Sequence, residues 1–157
     1  ALRGAGTGLA IPAGAVPAGT VLGAARAHTG MRDTVSTDEA PAAVGAYSQG
    51  TVTEDLVFTA GQIALTPEGD LLDEAAIDVQ TEQALENVQA VLEAADSSLA
   101  DALKVTVYLD DIEDFEAMNA TYETFFEGDP PARSAVAVED LPAGVEVEIE
   151  AIAARQP

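Results

Sequence analysis

The sequence predicts an α+β domain over residues 31–157, its elements in the order β-β-α-β-α-β-β, with two helices on one face of a mixed sheet. Three patterns carry that expectation. Ala84, Leu85, Val88, Val91, Leu92 and Ala95 recur at helical spacing. Val105, Val107 and Leu109 alternate with Lys104, Thr106 and Tyr108, the signature of a half-buried strand. Near the end, Val145, Val147 and Ile149 alternate with Glu146, Glu148 and Glu150, so one strand face is apolar and the other acidic. A chain of 157 residues suits one such domain with a proper core.

Composition changes abruptly at Met31. Residues 1–30 hold no Asp or Glu and include the single histidine, His28. Arg3, the apolar stretch Leu9 to Ala24 and Ala25-Arg26-Ala27 have the outline of a signal peptide, but Pro12 and Pro17 interrupt it. The expectation for residues 1–30 is a flexible leader or a misassigned start, outside the fold. Beyond Met31, an N-terminal strand precedes a loop from Pro41 to Gly50, and a second strand is expected over Leu56 to Leu65, closed by a turn at Pro67 to Asp70. Asp78 and Glu82 place negative charge near the start of the first helix, where its dipole favours it. The second helix, capped by Asp111 with Asp114 three residues on, carries Phe115, Met118, Tyr122, Phe125 and Phe126 on one stripe and is stopped by Gly128, Pro130 and Pro131. Strands around Ser134 to Val138 and Val145 to Ile152 complete the order. Two helices cover one sheet face, and the other is expected to meet a second subunit.

The formal charge of −22 comes from 28 acidic against six basic residues, and it repels both a phosphate backbone and an anionic membrane. With 48% hydrophobic residues and the acids interspersed, that charge reads as a solvated shell on a folded core. Molar salt shortens the Debye length to about 3 Å and screens such self-repulsion, which points to a salt-loving source. The chain has no cysteine, so disulfides, thiol nucleophiles and thiolate metal sites are excluded; a cytoplasmic location is the matching expectation. No apolar run approaches the roughly 20 residues that span a bilayer.

Residues 31–157 contain no histidine either, which removes the usual general base and rules out a Ser-His-Asp triad. Basic residues are few enough to weigh singly. Arg133 follows Pro130-Pro131, which force an extended entry into the next strand. A guanidinium there can fork both oxygens of a carboxylate, or it can belong to a structural ion pair. Glu148, fifteen residues on, is a candidate base on a polar strand face or simply a solvated acid. Tyr47 can cap a pocket or pack; Asn119 can line a pocket or sit on the helix surface; Lys104 can form a Schiff base or snorkel from its strand.

Several stretches in the same order and spacing sharpen these alternatives: residues 40–50 (Ala40-Pro41 through Tyr47 to Gly50), Gly61-Gln62-Ile63, Asn119-Ala120-Thr121-Tyr122-Glu123, Pro131-Ala132-Arg133-Ser134, and Val147-Glu148-Ile149-Glu150-Ala151-Ile152-Ala153. Together they resemble the Rid family of reactive-intermediate deaminases, also called the YjgF family. The resemblance implies a chorismate-mutase-like α+β fold and a homotrimer with active sites between subunits. It further implies hydrolysis of 2-imino or enamino acids, such as 2-aminoacrylate or 2-iminobutanoate, to 2-oxo acids and ammonia. By the same resemblance Arg133 binds the substrate carboxylate, Glu148 holds the attacking water, and Tyr47, Asn119 and the backbone near Gly61 line the pocket. No metal and no organic cofactor is implied. Ala60 and Ala135 stand where many members have serine and cysteine, which implies altered substrate preference. A second reading is a non-catalytic ligand-binding or protein-interaction trimer that keeps Arg133 as a carboxylate sensor. Ribonuclease action, a third, is disfavoured by the charge and by the lack of histidine.

Overall fold

The computed structural model describes residues 31–157; the leader expected over residues 1–30 lies outside the described residues. The elements are β1 (Asp33–Val35), β2 (Gly50–Val52), β3 (Leu56–Thr59), β4 (Gln62–Ile63), α1 (Ile77–Glu93), β5 (Ala102–Leu109), α2 (Phe115–Glu123), β6 (Ala132–Ala137) and β7 (Val147–Ala154). The strands form one sheet in the order β1-β2-β3-β7-β5-β6, and β4 also pairs with β7. Only β5 and β6 run parallel, so the sheet is mixed as expected.

The alternations read from sequence define the core. Val105, Val107 and Leu109 of β5 and Val147, Ile149, Ala151 and Ala153 of β7 are buried, and they pack against Ala84, Leu85, Val88, Val91 and Leu92 of α1 and Met118 of α2. Both helices therefore lie on one sheet face. The opposite face carries Phe58, Lys104, Thr106, Tyr108, Ser134, Val136, Glu148, Glu150 and Ile152, placed there by the period-two register. Phe58 and Val136 remain 37% and 43% exposed on it.

Three differences from the sequence reading have local causes. The strand expected over Leu56 to Leu65 is two strands. Between the pairs Phe58–Ile152 and Gln62–Ile149 lie three residues on one side and two on the other, so a β-bulge holds Thr59, Ala60 and Gly61. Strand β2 was not expected, because three residues are too few to show a period. It forms where Gly50 lets α1 approach: an added Cβ would stand 2.9 Å from Val91 Cγ1 and 3.1 Å from the Phe58 carbonyl oxygen. Helix α2 ends at Glu123, ahead of Gly128, where the Thr124 hydroxyl donates to the Thr121 carbonyl at 2.7 Å and competes with the helical ladder. Phe126 beyond the helix end stacks at 4.6 Å on Tyr122.

Buried amide side chains tie the irregular backbone to this frame. Gln80 donates to the carbonyls of Asp73 and Ala75 and accepts from the Glu146 N–H, joining the loop before α1 to the start of β7. Asn87 donates to the carbonyls of Ile63 and Leu65, at 3.1 and 2.8 Å, and so pins β4 to α1. Replacing Asn87, 1% exposed, by Leu would leave the Leu65 carbonyl unpaired beneath α1 and the Ile63 carbonyl with only the Leu65 N–H at 2.8 Å. An unpaired buried polar group costs about 1–3 kcal/mol, so Asn87→Leu is expected to lower the unfolding free energy by about that much, read from urea denaturation at fixed salt. An unchanged midpoint would show that Asn87 does not hold β4.

Candidate active site

Arg133 enters β6 directly after Ala132, opposite Val105 of β5, and its side chain leaves the sheet on the helix face. There α2 receives it. The guanidinium carbon lies 4.5 Å from the centroid of the Tyr122 ring and 5.4 Å from that of Phe115, both within cation–π range. One terminal nitrogen, Nη1, donates to Asn119 Oδ1 at 2.8 Å. Phe115, Asn119 and Tyr122 are spaced by four and three residues, so they share one side of α2. Among the described residues no carboxylate pairs with Arg133, although the chain carries 28 of them. The structural ion pair weighed in the sequence reading is therefore not what holds this arginine.

A cavity of about 330 Å³ opens beside it, lined by Asn119, Tyr122, Glu123, Phe126, Pro131 and Arg133 among others. Tyr122 is 3% exposed, and its hydroxyl is buried without a hydrogen-bond partner among the described residues. Burial pushes this phenol up, while Arg133 pulls it down. Phe115 and Tyr122 were legible in the sequence only as core residues of a helix stripe. The signal for more was Asn119 flanked on the same helix side by two aromatics.

Glu148 lies on the other sheet face, half-buried, paired in register with Tyr108 of β5 and Ile63 of β4. The bulge brings Gly61 against it. A Cβ on Gly61 would stand 1.9 Å from Glu148 Oε1, so only glycine allows the carboxylate its present place. Burial, and next the neighbouring Glu150, raise the Glu148 carboxyl above the ordinary carboxylate range. Glu150 in turn accepts a hydrogen bond from the Tyr108 hydroxyl at 3.0 Å. Lys104 on this face donates to Ser134 Oγ at 2.7 Å.

Tyr47 stands apart from both groups. It is 56% exposed, neither capping a described cavity nor packed, and its hydroxyl accepts from the Val44 N–H at 3.4 Å within its own loop. The Ala60 N–H is already donated to the Gln49 carbonyl at 2.8 Å, and Ala135 packs against the core on the Arg133 side of β6. Among the described residues no group of three or more His, Asp or Glu side chains is arranged to hold a metal ion, and no helix is long and apolar enough to cross a membrane.

One protomer thus joins Arg133 to Asn119, and Glu148 to Gly61, but does not join the two pairs. Strand β5 separates β6 from β7, and Val136, level with Glu148 across β5, is three residues beyond Arg133. At usual strand spacing and rise the two Cα atoms are roughly 14 Å apart, with side chains on opposite faces. Gly61→Ala tests the tighter pair: the far end of a flexible side chain must yield, at a cost of about 1 kcal/mol in urea unfolding. Displaced towards water, the Glu148 carboxyl is expected to titrate lower than in the parent, followed by carboxyl carbon NMR. Retention of the parent titration would contradict the contact.

A family model described as endoribonuclease L-PSP matches residues 37–155. A 2-iminobutanoate/2-iminopropanoate deaminase of Salmonella typhimurium is 45% identical over 129 residues, covering 80% of this chain and all of that protein. A RutC family protein of Pyrococcus horikoshii is 45% identical over 126 residues, again 80% of this chain and all of that one. The crystal structure of E. coli TdcF with bound serine matches with a TM-score of 0.75 at 41% identity, over 79% of this chain and 99% of that one. Family model, identity and fold coincide over the described domain: the chain belongs to the endoribonuclease L-PSP family, the Rid or YjgF family that its motifs resemble.

Proposed function

We propose that the protein hydrolyses small 2-imino acids to 2-oxo acids and ammonia, in clefts formed when copies assemble through the uncovered sheet face. The observation that carries this reading is Arg133: a positively charged fork beside a cavity, held by two rings and an amide with no carboxylate on it among the described residues. An anchored guanidinium with free donors suits a substrate carboxylate. The named activity of the Salmonella relative and the serine bound to TdcF support the substrate class.

The chemistry follows from the two half-sites. Arg133 fixes the carboxylate and thereby the adjacent C=N carbon. Glu148, as carboxylate, orients a water and takes its proton as the C–O bond forms. The proton then passes to nitrogen to give the carbinolamine; the hydroxyl proton follows it to nitrogen as C=O forms and the C–N bond breaks, so ammonia leaves with the 2-oxo acid behind and no electrons are exchanged. In a 2-imino acid these two carbons are directly bonded, whereas Arg133 and Glu148 of one protomer face opposite ways. A homotrimer, in which one subunit offers Arg133 and its neighbour Glu148, resolves this and covers Phe58 and Val136. Tyr47, exposed on its loop, is then free to reach across such a boundary.

The test is 2-oxobutanoate release from 2-iminobutanoate generated in situ, at molar salt. Arg133→Ala is expected to lower kcat/KM by about 10- to 100-fold, the worth of a charge-assisted hydrogen bond or two, and Glu148→Ala to lower kcat by about 10²- to 10⁴-fold. Mixed and reassembled, the two impaired variants are expected to recover about a quarter of parental activity, since each mixed ring rebuilds one intact site. A folded, assembled parent that binds 2-oxo acids without turnover would favour the non-catalytic carboxylate-binding reading instead.

The pH dependence is the second check. Glu148 must be ionised to accept the proton, so activity is lost as pH falls through its raised pKa, and the acidic limb lies above the ordinary carboxylate range. Glu150→Gln removes the second cause of that elevation and is expected to move the limb to lower pH, with burial still holding it above a free carboxylate.

A further inference from the structure

We propose that Glu123 is a positioning residue for the substrate anchor: it locks the Asn119 amide in the one orientation that presents an oxygen to Arg133. The proposal deepens the deaminase reading and rests on it for its kinetic arm only. Glu123 is the last residue of α2, one turn beyond Asn119, and lines the same cavity as Arg133. Its Oε1 accepts from Asn119 Nδ2 at 2.6 Å, while Asn119 Oδ1 accepts from Arg133 Nη1 at 2.8 Å. The three side chains form a relay of two hydrogen bonds, from Arg133 to Asn119 and from Asn119 to Glu123.

An asparagine amide is nearly symmetric in shape, so packing alone does not choose between its two orientations. The flanking charges choose. A carboxylate only accepts and a guanidinium only donates, so turning the amide by half a rotation sets oxygen against Glu123 and N–H against Arg133, losing both hydrogen bonds. With Glu123 in place the amide oxygen has one direction, and Arg133 is held by it from the side while Tyr122 and Phe115 hold it by its plane. The remaining guanidinium donors then keep a fixed aim. Glu123 achieves this without touching Arg133, so the anchor is oriented by a carboxylate and yet left unpaired for the substrate.

Two substitutions separate positioning from charge. Glu123→Gln keeps an acceptor for Asn119 Nδ2 and removes the charge; Glu123→Ala removes both. Positioning predicts that Glu123→Ala raises KM for 2-iminobutanoate about fivefold with kcat within about twofold, and that Glu123→Gln stays within about twofold of the parent in both. If Glu123 acted only through its charge, both variants would bind the anionic substrate more tightly, which would overturn the proposal; so would an unchanged KM in Glu123→Ala. A second readout does not need turnover: the side-chain amide signals of Asn119, assigned by their loss in Asn119→Ala, are expected to shift and broaden in Glu123→Ala and to remain sharp in Glu123→Gln. Unchanged signals in Glu123→Ala would overturn the lock whatever the kinetics show. A parent that hydrolyses no imine would instead sink the deaminase reading, and the amide signals alone would then decide the role of Glu123.

Discussion

The structure depends on the two faces of β7. Its inward row, Val147, Ile149, Ala151 and Ala153, is the floor on which α1 packs, while its backbone is shared among β3, β4 and β5. Its outward row holds Glu148 and Glu150. Because side chains alternate strictly, burying the first row fixes the second, and a slip of one residue would put two carboxylates into the core. The position of Glu148 is thus inherited from the strongest part of the hydrophobic core. What the core does not set is the carboxylate's immediate neighbourhood. The bulge at Thr59 to Gly61 does that, by opening the ladder where a side chain would otherwise stand.

Charge gives the second constraint. In a chain with 28 acids and six bases, the nearest carboxylate would ordinarily capture any arginine. Arg133 is not captured: its contacts with Tyr122, Phe115 and the Asn119 oxygen are neutral, and Glu123 of α2 is engaged by the Asn119 amide instead. Arg155 shows the other fate, paired at 3.0 Å with Asp96 near the chain end. The difference lies in α2, whose aromatic stripe does two jobs, filling the core with Met118 and Tyr122 and shielding a cation at its edge.

Much of this was legible in the sequence where a period ran long enough to read. Helix α1 and strands β5 and β7 declared themselves by six to eight residues of regular spacing, and Pro130-Pro131 marked the entry to Arg133. Strand β2 was not legible, since three residues carry no period, and neither was the bulge, since its cause, a carboxylate nearly ninety residues away, is tertiary. The end of α2 was misplaced because a threonine hydroxyl, not the glycine or the prolines, breaks the ladder. For the site, the motifs named Arg133, Asn119, Gly61 and Glu148, and the structure joins these as two pairs. That the pairs face opposite ways follows from a parallel β5–β6 register, which no local pattern encodes.

That division bears on why the protein would assemble at all. A monomer with this sheet leaves Phe58 and Val136 in water and an acidic row half-shielded beside them. Burying that face against another copy removes the apolar exposure, and it also desolvates Glu148 and Glu150 further, an unfavourable step for two neighbouring carboxylates. The Tyr108 hydroxyl and the Lys104 ammonium on β5 lie on the same face and offset part of that cost. An interface built only for stability would have replaced the acids with apolar residues. On the proposed assembly, Glu148 with a glycine opposite to make room for it fits an interface that also holds the chemistry.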